Sequence, residues 1–203
     1  MYVIQDLLSN EKLTGAKRQE FLSKNKKQLE RIEWMVHSLL KLSRLESGTV
    51  ELKKDQVVLS NLVNESLATL SIPIEVKNQK IITEGNGNIS AKLDLEWTVE
   101  AITNILKNAY EHTAEGGTIT ISYKENPLYA AIVITNPGQG ISKEDLPHIF
   151  KRFYKSKNNK KDSIGIGLHM AKKILAKQNS DITVKSDLNG ITIFEIQFYK
   201  NVL

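Results

Sequence analysis

The sequence predicts an α+β chain: a two-layer α/β sandwich preceded by a helical hairpin. Three observations carry that expectation. Leu22, Leu29 and Val36 recur seven apart, with Ile32 and Leu39 in the alternate seam, a stripe narrow enough for helix pairing but not for a globular core. Val99, Ile102, Ile105, Leu106 and Ala109 recur at helical spacing further along. Residues 118–125 and 128–135 then alternate apolar and polar across a short connection, and residues 183–186 and 191–199 repeat the pattern, as two antiparallel hairpins would.

In chain order, residues 2–8 are apolar on a helical period, residues 10–16 form a loop around Gly15, and residues 17–45 form the long second arm, its seam interrupted by Asn25. A hairpin with one apolar stripe per arm cannot bury that stripe alone, so two copies are expected to pair as a four-helix bundle, giving a homodimer through residues 1–50. The first arm, about two turns against nearly eight in the second, is short, and its helix is expected to begin upstream of Met1. Residues 51–56 read as a linker, and residues 57–203 as the sandwich. Ser60 is the expected N-cap of a helix carrying Leu62, Val63 and Leu67, ended by Pro73. Residues 74–83 and 88–93 are short strand candidates on either side of Gly85 and Gly87. The helix of residues 95–113 follows, and Gly116-Gly117 turns the chain into the first antiparallel hairpin.

Composition sets bounds. The chain has 203 residues, 40% apolar and 25% charged, with a net charge of +5 and no cysteine. That excludes a disulfide framework, a thiol nucleophile and a cysteine metal site. No apolar run approaches the length of a membrane span. The positive charge is local: Lys151, Arg152, Lys155, Lys157, Lys160 and Lys161 crowd one segment, which suits a clamp for phosphates better than a nucleic-acid footprint.

Four stretches carry candidate chemistry. Asn104 and Asn108 stand four apart, on one side of the apolar stripe. Two neutral amides on a rigid face suit a cation that keeps most of its water, such as magnesium carrying phosphates, although surface asparagines would give the same pattern. Asn136-Pro-Gly138-Gln-Gly140-Ile141 follows a strand directly, so the backbone can approach a flat ring while the strand's last side chain bonds to the ring's edge. Phe150 and Phe153 follow on a short helix, with core packing the plainer role for Phe150, and the basic, unpatterned residues 155–162 come next. Ser163-Ile164-Gly165-Ile166-Gly167-Leu168 then opens a helix whose amides and positive dipole end can face phosphate. No apolar strand precedes these glycines and no GK[ST] follows them, which excludes a dinucleotide fold and a kinase-type P-loop.

In this order the asparagine helix, glycine turn, phenylalanine pair, variable basic segment and second glycine turn resemble the catalytic domain of bacterial sensor histidine kinases, within the larger group that includes gyrase and the mismatch-repair ATPases. The resemblance covers residues 57–199, and residues 1–50 look like that family's dimerisation and phosphotransfer hairpin. It implies ATP with Mg2+, with Asn108 as principal metal ligand and Asn104 beside it. Glu111 and His112 fall where the family often has lysine and tyrosine near the phosphates. Glu111 brings no positive charge, which leaves Lys155 and the basic segment as phosphate partners. Asn136 falls where the family usually has an aspartate accepting from the adenine amino group; an amide oxygen accepts too, more weakly. Gly138 and Gly140 belong to the same turn, Ile141, Phe153 and Leu168 would line the adenine site, and Thr192 would neighbour it. Ser163 replaces the usual first glycine of the second turn, ahead of Ile164, Gly165, Ile166 and Gly167, and Ser180 replaces a later glycine.

The resemblance further implies a kinase domain that donates the γ-phosphoryl of ATP to a histidine on its dimerisation helix, for relay to the aspartate of a response regulator receiver domain. The expected location is the cytoplasm, as part of a membrane-bound parent. The family's HExxxP block is missing, and the histidines present are His37, His112, His148 and His169. The acceptor is therefore expected upstream of Met1, leaving a fragment that binds ATP but cannot phosphorylate itself. Two other readings compete. An ATP-hydrolysing clamp needs a glutamate base one turn before the metal asparagine, where Asn104 stands. A non-catalytic dimerisation module would account for Glu111, Asn136 and Ser163.

Overall fold

The computed structural model describes residues 14–156, 164–186 and 190–200. The chain divides into two compact units, Met1–Ser43 and Arg44–Leu203. The first is carried by helix α1 (Gly15–Glu46), whose last turn belongs to the second unit. On α1, Leu22, Leu29, Ile32 and Val36 are about half exposed, so the expected seam is present and open. Glu20 and Lys24 pair at 2.6 Å across one turn, and Glu33 lies 4.0 Å from His37 in the same relation. The expected first arm lies outside the described residues. No helix among the described residues is long and apolar enough to cross a membrane.

The second unit is the expected two-layer sandwich. Its elements are β1 (Asp55–Val58), α2 (Leu59–Ala68), α3 (Ser71–Val76), β2 (Lys80–Glu84), β3 (Ser90–Leu93), α4 (Leu95–His112), β4 (Thr118–Glu125), β5 (Tyr129–Pro137), α5 (Gly167–Ala176), β6 (Ser180–Ser186) and β7 (Ile191–Tyr199). Five strands form one sheet in the order β2-β4-β5-β7-β6, and β1 pairs with β3 separately. Alternation places Ile119 and Ile121, Ile132 and Ile134, and Phe194 and Ile196 in the buried layer. Helix α4 packs on β5 and α5 on β6, and their Ile102, Ile105, Leu106, Met170 and Ile174 are almost fully buried. Burying each of these side chains contributes about 1.5–3 kcal/mol.

Five expectations need correction. The sheet is mixed, because β2 runs parallel to β4: the chain passes through β3 and α4 between them, and that crossover fixes a parallel pairing. The proposed strand at residues 74–83 begins only at Lys80, since Ser71–Val76 is helical. Pro73 sits in the first turn of that helix, where a missing N–H is harmless, instead of terminating α2. Ser60 is not a cap; α2 starts at Leu59 without a side-chain cap. Its first donors are met by chain instead, Leu59 N–H by the Ile89 carbonyl at 2.8 Å and Ser60 N–H by that of Gly87 at 3.1 Å. The last two residues of the expected linker, Asp55 and Gln56, pair with Leu93 and Lys92.

Candidate functional site

Helix α4 is held at both ends. At its start Asp94 accepts from Trp97 N–H at 3.0 Å and from Lys53 N–H at 2.9 Å. Gln178, just past α5, accepts from Asp94 N–H and donates to the Thr98 hydroxyl, joining the two helices. Between those ends the stripe read from the sequence is buried, and Asn104 and Asn108 lie half-buried on its flank.

The two asparagines are not equivalent. Asn104 donates its amide to the Glu100 carbonyl at 2.9 Å. Its Oδ1 faces Gly167 so closely that a Cβ there would stand 2.7 Å away, and a side chain at that position would displace the Asn104 carboxamide. Asn108 makes no side-chain hydrogen bond among the described residues. Glu111 and His112 occupy the last turn, both half-buried. The His112 carbonyl lies against Gly138, which brings the end of α4 to the first glycine turn.

That turn is fastened to the β6–β7 hairpin. Gly138 N–H donates to the Gly190 carbonyl at 2.8 Å, and Ile141 N–H donates to Ser186 Oγ at 2.8 Å. Ser186 Oγ is in turn 3.1 Å from Thr192 Oγ1. Asn136 and Thr192 stand directly opposite in the β5–β7 ladder, and both are buried. Asn136 Nδ2 donates to the Pro137 carbonyl at 3.2 Å, while its Oδ1 is buried with no partner. A buried acceptor left unmade costs about 1–3 kcal/mol. Among the described residues Gln79 Oε1, Thr103 Oγ1 and His148 Nδ1 are also buried without a partner, and Asn136 is the one that stands at the end of β5, next to the first glycine turn.

The second glycine turn packs on the phenylalanine segment. Phe153 N–H donates to the Gly165 carbonyl at 2.8 Å, and His169 Nδ1 lies 2.9 Å from the Phe150 carbonyl. Ile166 is fully buried, and Ile164 and Leu168 are half-buried, whereas Lys155 is exposed. The short helix expected to carry both phenylalanines is a single turn, Leu146–His148, and ends before them. Phe150 is half-buried; Phe153 has a positive φ of 63° and is 52% exposed, its ring 5.0 Å from the Arg152 guanidinium. Ser163 lies outside the described residues, as do residues 157–162.

Sequence reasoning missed three contributors: Ser186, Gly190 and Asp145. Asp145 accepts from Ser156 Oγ at 2.6 Å and from the Tyr154 hydroxyl, fastening the start of the basic segment. Those hydroxyls, Ser156 first, hold its carboxyl below the ordinary carboxylate range, and the same bond raises the Tyr154 phenol. None of these residues belongs to a recognisable short pattern: Ser186 and Gly190 reach back to Ile141 and Gly138, and Asp145 meets hydroxyls nine and eleven positions on.

Among the described residues no cluster of three or more histidine, cysteine or acidic side chains could hold a metal alone. The donors that fit a divalent cation here are carboxamide oxygens, Asn108 foremost. That set suits an ion arriving with its own phosphate and water oxygens.

A sandwich with two glycine turns around an asparagine helix defines a class of nucleotide-binding domain. The chain belongs to the family of histidine kinase-, DNA gyrase B- and HSP90-like ATPases, whose family model matches residues 93–201. Over 195 residues it is 29% identical to the heme sensor protein HssS of Staphylococcus saprophyticus, covering 96% of this chain and 42% of that protein. The chain thus spans less than half the length of that relative. Two crystal structures share the fold. Full-length ShkA in complex with AMPPNP superposes with a TM-score of 0.75 at 18% identity, covering 95% of this chain and 41% of that one. The histidine kinase ThkA in complex with the response regulator protein TrrA gives a TM-score of 0.72 at 22% identity, covering 97% and 55%.

Proposed function

We propose that the chain is the ATP-binding core of a sensor histidine kinase. The observation that carries this reading is Asn136 Oδ1, a buried acceptor with no partner at the end of β5, opposite Thr192 and beside the first glycine turn. The exocyclic amino group of adenine supplies the donor it lacks. Gly138 and Gly140 let the backbone approach the base, and Ile141 and Leu168 supply apolar contact, with Phe153 at the mouth.

Asn108, with Asn104 beside it, would hold magnesium, which when bound neutralises phosphate charge. Glu111 and His112 lie next to that position on α4. Lys155, Ser163 and the chain from Ile164 to Gly167 would meet the phosphates, the latter through amides at the positive end of α5. No strong base is required, because phosphoryl transfer depends on alignment and charge neutralisation. The acceptor is a histidine on a dimerisation helix, and the next recipient is the aspartate of a response regulator. Residues 1–50 would supply the dimerisation hairpin and 51–54 the linker, with the ATP-binding domain starting at β1 and running from 55 to 203. The membrane-bound parent places this domain in the cytoplasm.

An ATP-hydrolysing clamp is less well supported. The position of its general base is Asn104, whose carboxamide is engaged by Glu100 and packed on Gly167.

Titration with a fluorescent ATP analogue, with and without magnesium, tests the reading. Asn108→Ala is expected to remove most of the gain in affinity that magnesium brings. Asn136→Leu is expected to weaken binding about tenfold or more, the loss expected for one buried hydrogen bond. Affinity unchanged in both variants would sink the assignment.

A further inference from the structure

The last turn of a helix leaves carbonyls without partners, and in α4 the partners can be named one by one. The Ala109 carbonyl accepts from Thr113 N–H and from the Thr113 hydroxyl, at 2.9 and 2.8 Å. The Tyr110 carbonyl accepts from Lys77 Nζ at 2.9 Å and from Gln79 Nε2 at 3.1 Å. The Glu111 carbonyl lies 3.5 Å from Lys77 Nζ, and the His112 carbonyl rests against Gly138. Beyond the helix, the Thr113 carbonyl accepts from both Lys77 and Gln79, and that of Ala114 from Gln79. Lys77 Nζ also sits 4.3 Å from the centre of the Tyr110 ring.

One ammonium and one buried carboxamide, 31 to 36 positions earlier in the chain, therefore hold the C-terminal end of α4. A cation at that end is favourable with the helix dipole, and a cap would be the plain account. The position of the held turn argues for more. It follows Asn108 by two residues, carries Glu111 and His112, and seats the first glycine turn on its last carbonyl. Gly190 and Ser186 fasten the first glycine turn independently, so a shift of this helical turn moves the metal-facing amide against a base-facing loop that keeps its place. The connection between α3 and β2 thereby sets the distance between the two ends of the site.

We infer that Lys77 and Gln79 are positioning residues for magnesium nucleotide, acting through the last turn of α4. The inference rests on the reading of the site given above. A mere cap would lower the folded fraction and weaken nucleotide binding equally with and without magnesium. A positioning role is selective, because Asn108 matters only when the ion is present.

The test is titration of the whole chain with a fluorescent ATP analogue, in magnesium and in chelator, for wild type, Lys77→Met, Lys77→Arg and Gln79→Leu, with thermal melting of each. Lys77→Met is expected to weaken binding in magnesium about tenfold, as for loss of one charge-assisted hydrogen bond, and to change it less than about twofold in chelator. Gln79→Leu should act in the same direction, and Lys77→Arg should recover most of the loss. Lys77→Gln, which keeps a neutral donor, replaces Lys77→Met if that variant does not fold. Equal losses under both conditions, or none, overturn the inference while leaving the site's assignment standing. Wild type that binds no better with magnesium than without would overturn both.

Discussion

Gly138 and Gly190 meet backbone to backbone: the Gly138 N–H donates to the Gly190 carbonyl at 2.8 Å, and a Cβ on Gly190 would stand 2.1 Å from the Gly138 carbonyl oxygen. Gly190 also has a φ of +86°, so a side chain there is strained before it collides. Gly190→Ala is expected to cost about 1–2 kcal/mol from the left-handed backbone alone, and to push the first glycine turn off the hairpin. Melting should fall by several degrees and affinity for an ATP analogue should fall with it. Unchanged binding would show that the hairpin does not set the turn.

A second close approach separates stability from binding. Gly167→Ala places a Cβ 2.7 Å from Asn104 Oδ1, so Asn104 must leave its bond to Glu100 or α5 must move outward. Alanine is the better helix former, by less here than the about 1 kcal/mol of a helix interior because Gly167 is the first residue of α5, and this offsets part of the strain. Melting is therefore expected to change little while magnesium-nucleotide affinity drops. If titration shows no drop, contact between the asparagine helix and the second glycine turn is dispensable for binding.

The Asp145 network predicts a dependence on pH. Its carboxyl is held below the usual range by Ser156, then Tyr154, so the folded state binds the proton more weakly than the unfolded chain. The stability this contributes is complete above the unfolded value, about 4, and is lost as pH falls through the lower folded value. Ser156→Ala and Tyr154→Phe should melt earlier than wild type near neutrality, and the gap should close on acidification. A gap that stays constant into the acid range would exclude the carboxylate as its source.

On α1 the half-exposed Leu29 and Val36 lie on the heptad-like seam and carry the proposal of a dimer. Leu29→Glu places a charge in that seam, and its burial without a partner is strongly unfavourable. Light scattering is expected to report a dimer for wild type and a monomer for this variant. A monomeric wild type at micromolar concentration would remove the proposal.

What the sequence determined by itself was local in origin. The α4 stripe, the β4–β5 and β6–β7 hairpins and the two glycine turns are legible because periodicity and turn chemistry act over a few residues. The helix at Ser71–Val76 escaped that reading since Pro73 fits a first turn as readily as it ends a helix. Tertiary structure alone decided the parallel β2–β4 pairing, the unmatched oxygen of Asn136, and the hold of Ser186, Gly190, Lys77 and Gln79 on the candidate site. Each of these is a contact between parts of the chain remote from one another, and no short pattern encodes which buried acceptor a folded chain leaves unfilled. Periodicity shows which face of an element is buried, but the partner across that face is set by how the whole chain packs.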